Sequence, residues 1–332
     1  MRVPQVFLAL LLAAPSYTVR MLPLPPAATG GIYMDYLAYD PSTGFVWAPA
    51  GNTGAVDVVD TATGKVTKIG DFPTAVVQVR NGKRTFGPTS ATVGKGVVYI
   101  GNRADSNICA VDARSLKKLN CAHIDSMPDG LSYVAMTKEV WVTAPRDKSI
   151  RILDADTLHE KSKLTYPGNP EGFAVDNKHG RFYTNLEDKD QTLAINAQTH
   201  ATVATWNPNC GSEGPHGLRF DEKSGFLFVA CSARVEVLDT AHDGKVVSSI
   251  DTGDGVDDFD YSPATHTVYV GAAKAGELTI AHVDAEGKLS LVEKVPTHAG
   301  ARNGVVTKDG TVYLAHSMAA EQNDLIVVSP KK

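Results

Sequence analysis

Seven polar residues recur at equivalent places along the chain, each at the start of an apolar, strand-like segment. Alignment on the pattern Pro-x-Gly-apolar identifies Asp129, Glu171 and His216. Looser forms of the same pattern add four positions: Asp35, Thr89, Asp257 and Asn303. Four of the seven are carboxylates and one is an imidazole, so bringing them together would cause repulsion and raise some of their pKa values.

A divalent cation would relieve that repulsion. Carboxylates with amide or imidazole donors suit calcium, magnesium or manganese, and the histidine also admits zinc. We therefore predict a cation site with the ligands Asp35, Asp129, Glu171, His216, Asp257 and Asn303. The alternative is a solvated polar opening with no specific ligand, because Asp before Gly is also a favourable turn residue.

The same residues could carry chemistry. Water on a bound cation becomes a better nucleophile, and a spare carboxylate can act as a base. If the protein is an enzyme, the predicted catalytic residues are Asp129, Glu171 and His216.

A second group of polar residues follows the second strand-like segment of several repeats. From this group, and from the residue beside Asn303, we predict the ligand-binding residues Arg103, Arg146, Asn185, Arg302 and His316. The three arginines could bind a carboxylate or phosphate in bidentate fashion. Solvated arginines, or ion pairs between repeats, are the alternative.

The elements that must position these residues are set by a repeated phrase in which a strand ends on a turn residue. The phrase occurs seven times: Val59-Asp60, Val111-Asp112, Leu153-Asp154, Ile195-Asn196, Leu238-Asp239, Val283-Asp284 and Val328-Ser329. Successive turn residues are 52, 42, 42, 43, 45 and 45 residues apart. A period in the low forties with strand-like text inside each unit predicts an all-β, seven-bladed β-propeller of four-stranded blades. The polar residues that open each inner strand should then meet at one mouth of the central channel.

The second strand of each unit carries an aromatic or large apolar residue at its second position, as in Val140-Trp141-Val142 and Val268-Tyr269-Val270. We expect these side chains to pack between blades. Units such as "VYIGN…ICAVD", "VWVTA…IRILD" and "VYVGA…LTIAHVD" resemble the YVTN-repeat β-propellers, which include YncE-like exported proteins. That resemblance covers essentially the whole mature chain and implies a fold, but it is not tied to one activity.

A second resemblance concerns the mouth alone. In the gluconolactonase-like propellers, the metal ligands are a Glu, an Asn and an Asp that open inner strands. Asp129, Glu171 and Asn303 are similar in position and type, although their order around the ring differs and His216 is additional. This analogy implies a metal and, as an alternative function, a hydrolase or lyase of lactonase type.

Ring closure follows from the length of the last repeat. The seventh blade begins near Asn303 and leaves room for about three strands before Lys332, so we expect the segment 17–22 to supply the fourth strand. The surplus in the first interval lies in the segment 71–86, with Asn81-Gly82 as a possible tight turn. It is predicted to be a surface hairpin or a lid bearing Arg80, Lys83 and Arg84.

Composition and the N-terminus suggest the compartment. A formal net charge of −5 argues against a general nucleic-acid binder. Residues 1–16 are typical of a signal peptide, with Arg2 before the apolar stretch 6–14, and a short membrane anchor is the alternative. We therefore predict one propeller domain over residues 17–332, periplasmic or secreted, monomeric and without a membrane span.

The four cysteines fit an exported protein. We predict the disulfides Cys109–Cys121, across one hairpin, and Cys210–Cys231, on one face of the disc; four free buried thiols are the alternative. Three functions remain open at this point. The chain could bind a small polar or anionic ligand with a cation, act as a metal-dependent hydrolase or lyase, or serve as a protein-interaction disc.

Overall fold

The computed structural model describes residues 16–28, 30–79, 82–317 and 321–331. Residues 1–15, most of the predicted signal peptide, lie outside this part of the chain, as do Arg80 and Asn81 of the insert. Over the described residues the regular elements are strands and four short 3₁₀ turns, and no helix there is long and apolar enough to span a membrane.

The strands form seven antiparallel sheets of four strands each. The first three are blade 1, β2(Ala38–Asp40), β3(Phe45–Ala50), β4(Ala55–Asp60) and β5(Val66–Ile69); blade 2, β8(Pro88–Val93), β9(Val97–Asn102), β10(Asn107–Asp112) and β11(Lys118–His123); and blade 3, β12(Leu131–Val134), β13(Glu139–Ala144), β14(Ser149–Asp154) and β15(Glu160–Thr165). Within each blade the strands neighbour one another in chain order.

The next three blades follow the same order. They are blade 4, β16(Pro170–Asp176), β17(Arg181–Leu186), β18(Gln191–Asn196) and β19(Thr202–Trp206); blade 5, β20(Leu218–Asp221), β21(Phe226–Cys231), β22(Arg234–Asp239) and β23(Lys245–Asp251); and blade 6, β24(Asp260–Ser262), β25(Thr267–Ala272), β26(Glu277–Val283) and β27(Leu289–Pro296). The 3₁₀ turns are Gly51–Thr53, Pro145–Asp147, Glu187–Lys189 and Thr240–His242.

Blade 7 closes the ring with strands from both ends of the described chain. It contains β28(Ala301–Val306), β29(Val312–His316), β30(Asp324–Pro330) and β1(Tyr17–Pro23). β1 pairs antiparallel with β30 from Tyr17 opposite Pro330 to Pro23 opposite Asp324. The first strands of neighbouring blades contact one another around the circle, and β2 meets β28 where it closes. The predicted seven-bladed propeller with an N-terminal closing strand is therefore confirmed.

The repeated turn residue has a local physical role. Asp60 accepts a hydrogen bond from the Ala62 amide at 2.9 Å, and Asp154 accepts one from the Thr157 amide at 2.9 Å. Asp112 and Asn196 make the same type of contact with residues two or three positions on. Such Asx turns reverse the chain between the third and fourth strands of blades 1 to 6, which explains why the phrase recurs there. In blade 7 the phrase lies near the end of β30, and the fourth strand is β1.

The core lies between the blades, as expected. The repeated aromatic residues of the second strands are at most 4% exposed: Trp47, Tyr99, Trp141, Tyr183, Phe228, Tyr269 and Tyr313. Tyr99 also donates a hydrogen bond to the Ala155 carbonyl of the next blade at 3.0 Å. Burying these side chains between sheets joins adjacent blades, since each sheet needs an apolar partner on both faces.

The insert forms a hairpin of β6(Ala75–Val79) and β7(Gly82–Phe86). The Arg84 guanidinium lies over the Tyr33 ring at 4.7 Å, and Tyr33 meets Phe86 edge-on. The base of the hairpin therefore packs beside the channel mouth. Both predicted disulfides, Cys109–Cys121 and Cys210–Cys231, are present.

Candidate functional site

The residues that open the inner strands do lie around one mouth of the channel. Asp129 and His216 donate their amides to the carbonyls of Thr143 and Ala230, on the second strands of their own blades. At Glu171 the ladder between β16 and β17 shifts register between Pro170 and Phe173. Such irregularities turn a side chain out of the regular alternation, here at the first residues of an inner strand.

The glycine in the Pro-x-Gly pattern is required by close packing of neighbouring blades. A Cβ on Gly172 would overlap the carbonyl of His216, and one on Gly217 would overlap Asp258. The missing side chain therefore lets adjacent inner strands approach at the level of the mouth.

Half of the mouth is a continuous network of paired charges. Arg302 contacts Asp257 at 2.7 Å, and the Asn303 amide donates to Asp257 at 2.7 Å and to Asp35 at 2.9 Å. Arg103 then pairs with Asp35 at 2.8 Å and also with Asp129. We call these six residues the paired arc: Asp35, Arg103, Asp129, Asp257, Arg302 and Asn303.

Electrostatics agrees with this pairing. Burial alone would raise the pKa of Asp257, but Arg302 and the Asn303 amide hold that pKa below its ordinary value. Burial would lower the pKa of Arg103, yet Tyr33 and Asp35 keep it above the ordinary value. Each carboxylate of this arc is therefore paired with a side chain of the protein itself, which leaves fewer free oxygens for a cation than the sequence suggested.

The other half of the mouth has a different character. Glu171, Glu187 and His216 each offer one ligand atom, and these atoms lie within 4.8 Å of one another. Among the described residues, Glu171 Oε2 and His216 Nδ1 are buried atoms with no hydrogen-bond partner. We call these three residues the open triad.

The open triad is electrostatically strained. Burial, the charge of Glu187 and then that of Asp257 raise the pKa of Glu171 well above its ordinary value. His216 Nδ1 lies 3.6 Å from Glu187 Oε1, while its Nε2 lies 3.2 Å from Ser232 Oγ. The far ring nitrogen thus contacts a hydroxyl, and the near nitrogen makes no hydrogen bond and faces the Glu187 carboxylate, so this nitrogen could ligate a cation. Two carboxylates and one imidazole fit magnesium or manganese, and also zinc.

The remaining predicted residues have other surroundings. Asn185 donates to the His216 carbonyl at 2.6 Å and accepts from Thr192, so it supports the backbone of the triad. His316 uses both ring nitrogens, toward Asp324 at 2.7 Å and the Ala299 carbonyl at 3.0 Å. Arg146 is exposed and lines a cavity of about 180 Å³ together with Arg103 and Asp129. Thr89 is fully buried, although it occupies the equivalent position in blade 2.

Aromatic and charged side chains of blades 1, 4, 5 and 6 also line the channel. Tyr36 of blade 1 meets Phe173 of blade 4 with ring centroids 5.6 Å apart. Arg219 pairs with Asp258 at 2.9 Å, and burial raises the pKa of Asp258 to about 6 despite that arginine. Tyr36, Phe173, Arg219 and Asp258 line a cavity of about 150 Å³, and the contact between Tyr36 and Phe173 joins blades 1 and 4 across the channel.

Glu187 was not predicted from the sequence, because the candidate residues after the second strands were taken at different distances from the ends of those strands. The residue that follows each second strand directly is Gly51, Arg103, Pro145, Glu187, Ser232, Ala273 and Ser317. In that strict register Arg103, Glu187 and Ser232 are equivalent, and all three contribute to the mouth. Counting from the strand end would have found both Glu187 and Ser232.

Comparisons with known proteins support the fold. No family model matches the chain, and no curated protein matches it. A chain of a mitotic checkpoint complex crystal structure is 15% identical with a TM-score of 0.74, covering 100% of this chain and 97% of that one. A streptogramin B lyase is 13% identical with a TM-score of 0.70, covering 95% and 98%. A virginiamycin B lyase from Staphylococcus aureus is 12% identical with a TM-score of 0.72, covering 95% and 100%.

Proposed function

We propose that this protein binds a divalent cation through Glu171, Glu187 and His216, and that the cation holds a small polar ligand at the channel mouth. The observation that carries the proposal is the pair of unpartnered buried atoms, Glu171 Oε2 and His216 Nδ1, beside a third donor from Glu187. A buried polar atom without a partner is costly, so two of them near one carboxylate favour a bound ion.

Charge balance supports a cation in preference to an anion alone. The two arginines of the paired arc balance two of its three aspartates. With Glu171 and Glu187 ionised, the mouth therefore has three excess negative charges, of which a divalent cation would cancel two. An oxygen-rich ligand would complete the coordination of the cation, because three protein donors leave positions open.

Arg302 and Arg146 are the residues that would orient such a ligand. The Nε of Arg302 is buried and has no hydrogen-bond partner among the described residues, so it can donate to a ligand oxygen. Arg146 borders the adjoining cavity with the apolar residues Phe86, Met127 and Pro145. This combination suits a small ligand that has an anionic or hydroxyl group and a short apolar part.

Cation binding should release a proton. Because Glu171 has a raised pKa in the cation-free protein, it is protonated below that pKa and must ionise to ligate the cation. Affinity is therefore expected to increase with pH. Calorimetric titrations in buffers of different ionisation enthalpy would detect the proton release directly.

The decisive experiment compares unfolding of the wild type with that of Glu171→Gln and His216→Ala in the presence of Mn²⁺, Mg²⁺, Ca²⁺ or Zn²⁺. At a free cation concentration of about 100 times Kd, the free energy of unfolding of the wild type should increase by about 2.7 kcal/mol. Glu171→Gln should fold at least as stably as the cation-free wild type, since glutamine is isosteric with the protonated acid, but it should not respond to the cation. His123→Ala alters a histidine whose side chain is 60% exposed, outside the mouth, and should respond like the wild type.

A wild type that none of the four cations stabilises would refute the proposal. So would a Glu171→Gln variant that keeps the full stabilisation by the cation.

A second candidate is a cation-dependent lyase or hydrolase. Two observations favour it: the likeness in fold to the streptogramin B and virginiamycin B lyases, and an acid of raised pKa, Glu171, next to His216. In this case Glu187 and His216 would hold the cation, which could polarise a carbonyl, and Glu171 would stay unligated and transfer a proton. Turnover of lactones, esters or a streptogramin B, abolished by chelation and by His216→Ala, would establish it, whereas cation-dependent binding without turnover would leave the binding function alone.

We also propose that the protein is an exported YVTN-like propeller. The two disulfides support an oxidising compartment. Expression with residues 1–16 intact, followed by N-terminal sequencing of the exported product, would test the predicted cleavage after Ser16.

A further inference from the structure

The open triad is assembled across a gap between two blades. Glu171 and Glu187 belong to blade 4, and Glu187 begins the 3₁₀ turn Glu187–Lys189 that follows β17. His216 belongs to blade 5 and precedes β20(Leu218–Asp221). Since the donors come from different sheets, some connection must hold these two segments in register if the site is to keep a fixed geometry.

On the blade 5 side, His216 is held by the end of β21(Phe226–Cys231). The His216 amide donates to the Ala230 carbonyl at 2.8 Å, and the Ala230 amide donates to the Gly217 carbonyl at 2.9 Å. Ser232 Oγ lies 3.2 Å from His216 Nε2. Cys231 stands between Ala230 and Ser232, so it belongs to the segment that contacts both the backbone and the ring of His216.

On the blade 4 side, the turn that carries Glu187 ends at Asp190. The Asp190 carboxylate accepts hydrogen bonds from the amides of Cys210 at 3.0 Å and Gly211 at 2.9 Å. Gly214 packs so closely on this turn that a Cβ there would overlap the Glu187 carbonyl. The loop 210–214 is therefore attached to the segment that supplies Glu187.

The bond between Cys210 and Cys231 joins the two sides. It completes a connection that runs from Glu187 through Asp190 and Cys210 to Cys231 and then, through Ser232, to His216. We propose that this disulfide positions Glu187 and His216 for the cation, and that its reduction weakens cation binding. The inference rests on the proposed function.

The redox step is an ordinary thiol–disulfide exchange. A dithiol reductant supplies two electrons and two protons, the sulfur–sulfur bond breaks to give the thiols of Cys210 and Cys231, and the reductant becomes a disulfide. Cys210 is only partly buried, which gives a reductant access to this bond. The other disulfide, Cys109–Cys121, links β10(Asn107–Asp112) to β11(Lys118–His123) within blade 2 and has no contact with the triad.

The test is the cation affinity of two matched double variants, measured by calorimetric titration with Mn²⁺. Variants avoid a dithiol reagent, which would itself bind the metal. Cys210→Ser/Cys231→Ser should bind about 10–100-fold more weakly than the wild type, the usual cost of losing a support for metal ligands. Cys109→Ser/Cys121→Ser should keep the wild-type affinity. Asp190→Ala interrupts the same connection without altering a cysteine and should weaken binding in the same direction.

A second measurement separates this inference from the proposed function. Nitrogen-15 spectra of the His216 ring, without cation, should show one tautomer in the wild type and an averaged ring in Cys210→Ser/Cys231→Ser. Unchanged Mn²⁺ affinity in that variant and in Asp190→Ala would overturn the inference while leaving the proposed function intact. A wild type that binds no cation would overturn the proposed function; an unaltered His216 tautomer in the variant would then overturn the positioning role as well.

Discussion

Asp57 is a buried acid whose ionisation should make the stability of the whole propeller depend on pH. It is 1% exposed, and neither carboxylate oxygen has a hydrogen-bond partner among the described residues. It pairs across the sheet with Ala48, which belongs to the apolar cluster between blades 7 and 1. Burial raises its pKa to about 7, although Lys68 on the neighbouring strand acts in the opposite direction.

The direction and size of the effect follow from linkage. The folded protein holds this proton up to about pH 7, whereas the unfolded chain releases it near the ordinary value of 3.8, so stability falls as pH rises between these values. One pKa unit corresponds to about 1.36 kcal/mol, so the complete loss in the free energy of unfolding is about 4 kcal/mol. Between pH 5 and pH 8 the wild type should lose about 2–3 kcal/mol through this one group.

Asp57→Asn removes the ionisation and keeps the shape of the side chain. Urea unfolding followed by tryptophan fluorescence at several pH values should show the variant to be more stable than the wild type, by a margin that grows between pH 5 and pH 8. Asp156→Asn alters an exposed aspartate and should leave the pH dependence as it is in the wild type. Parallel stability curves for Asp57→Asn and the wild type across this range would refute the reasoning.

Two further substitutions test the mouth. Gly172→Ala should lower the free energy of unfolding by about 1–3 kcal/mol, because its Cβ overlaps the His216 carbonyl, and should also weaken cation binding. The control is Gly70→Ala, where a Cβ meets nothing within 4 Å. This variant should keep the wild-type free energy of unfolding and the wild-type cation affinity in unfolding and titration experiments. Arg103→Met should lower the free energy of unfolding by about 3–5 kcal/mol at neutral pH, because it removes the cationic partner of both Asp35 and Asp129 and leaves Asp35 only the Asn303 amide. A denaturation midpoint of Arg103→Met equal to that of the wild type would contradict the pairing.

The architecture was predictable because it is encoded locally and repeatedly. The Asx turn at Asp60 or Asp154 needs only the residues beside it, and it recurs in six of the seven blades. The disulfides and the closing strand were predictable for a related reason. Once the blades are counted, Cys109 and Cys121 must face each other across one hairpin, and the last blade lacks a strand.

The pairing of side chains at the mouth was not predictable in the same way. A repeat places Cα atoms, but it does not say that Arg103 reaches both Asp35 and Asp129, or that Asn303 adopts a positive φ of 50° and bridges two aspartates. Those contacts depend on side-chain length and on neighbouring blades that are distant in sequence. The resulting division into a paired arc and an open triad is therefore information that only the three-dimensional structure contains.

The contact between Tyr36 and Phe173 also has a consequence for how a ligand exchanges between the mouth and solvent. Because these two rings from blades 1 and 4 meet across the channel, we expect a ligand at the mouth to enter and leave from the mouth side. A protein or antibody that covers the mouth should slow the release of a bound ligand and prevent the binding of a new one. An antibody on the opposite face should change neither the association nor the dissociation rate. Immobilising the protein by its opposite face should leave the mouth accessible. Comparing ligand binding to the protein immobilised by either face would therefore show from which face the ligand enters.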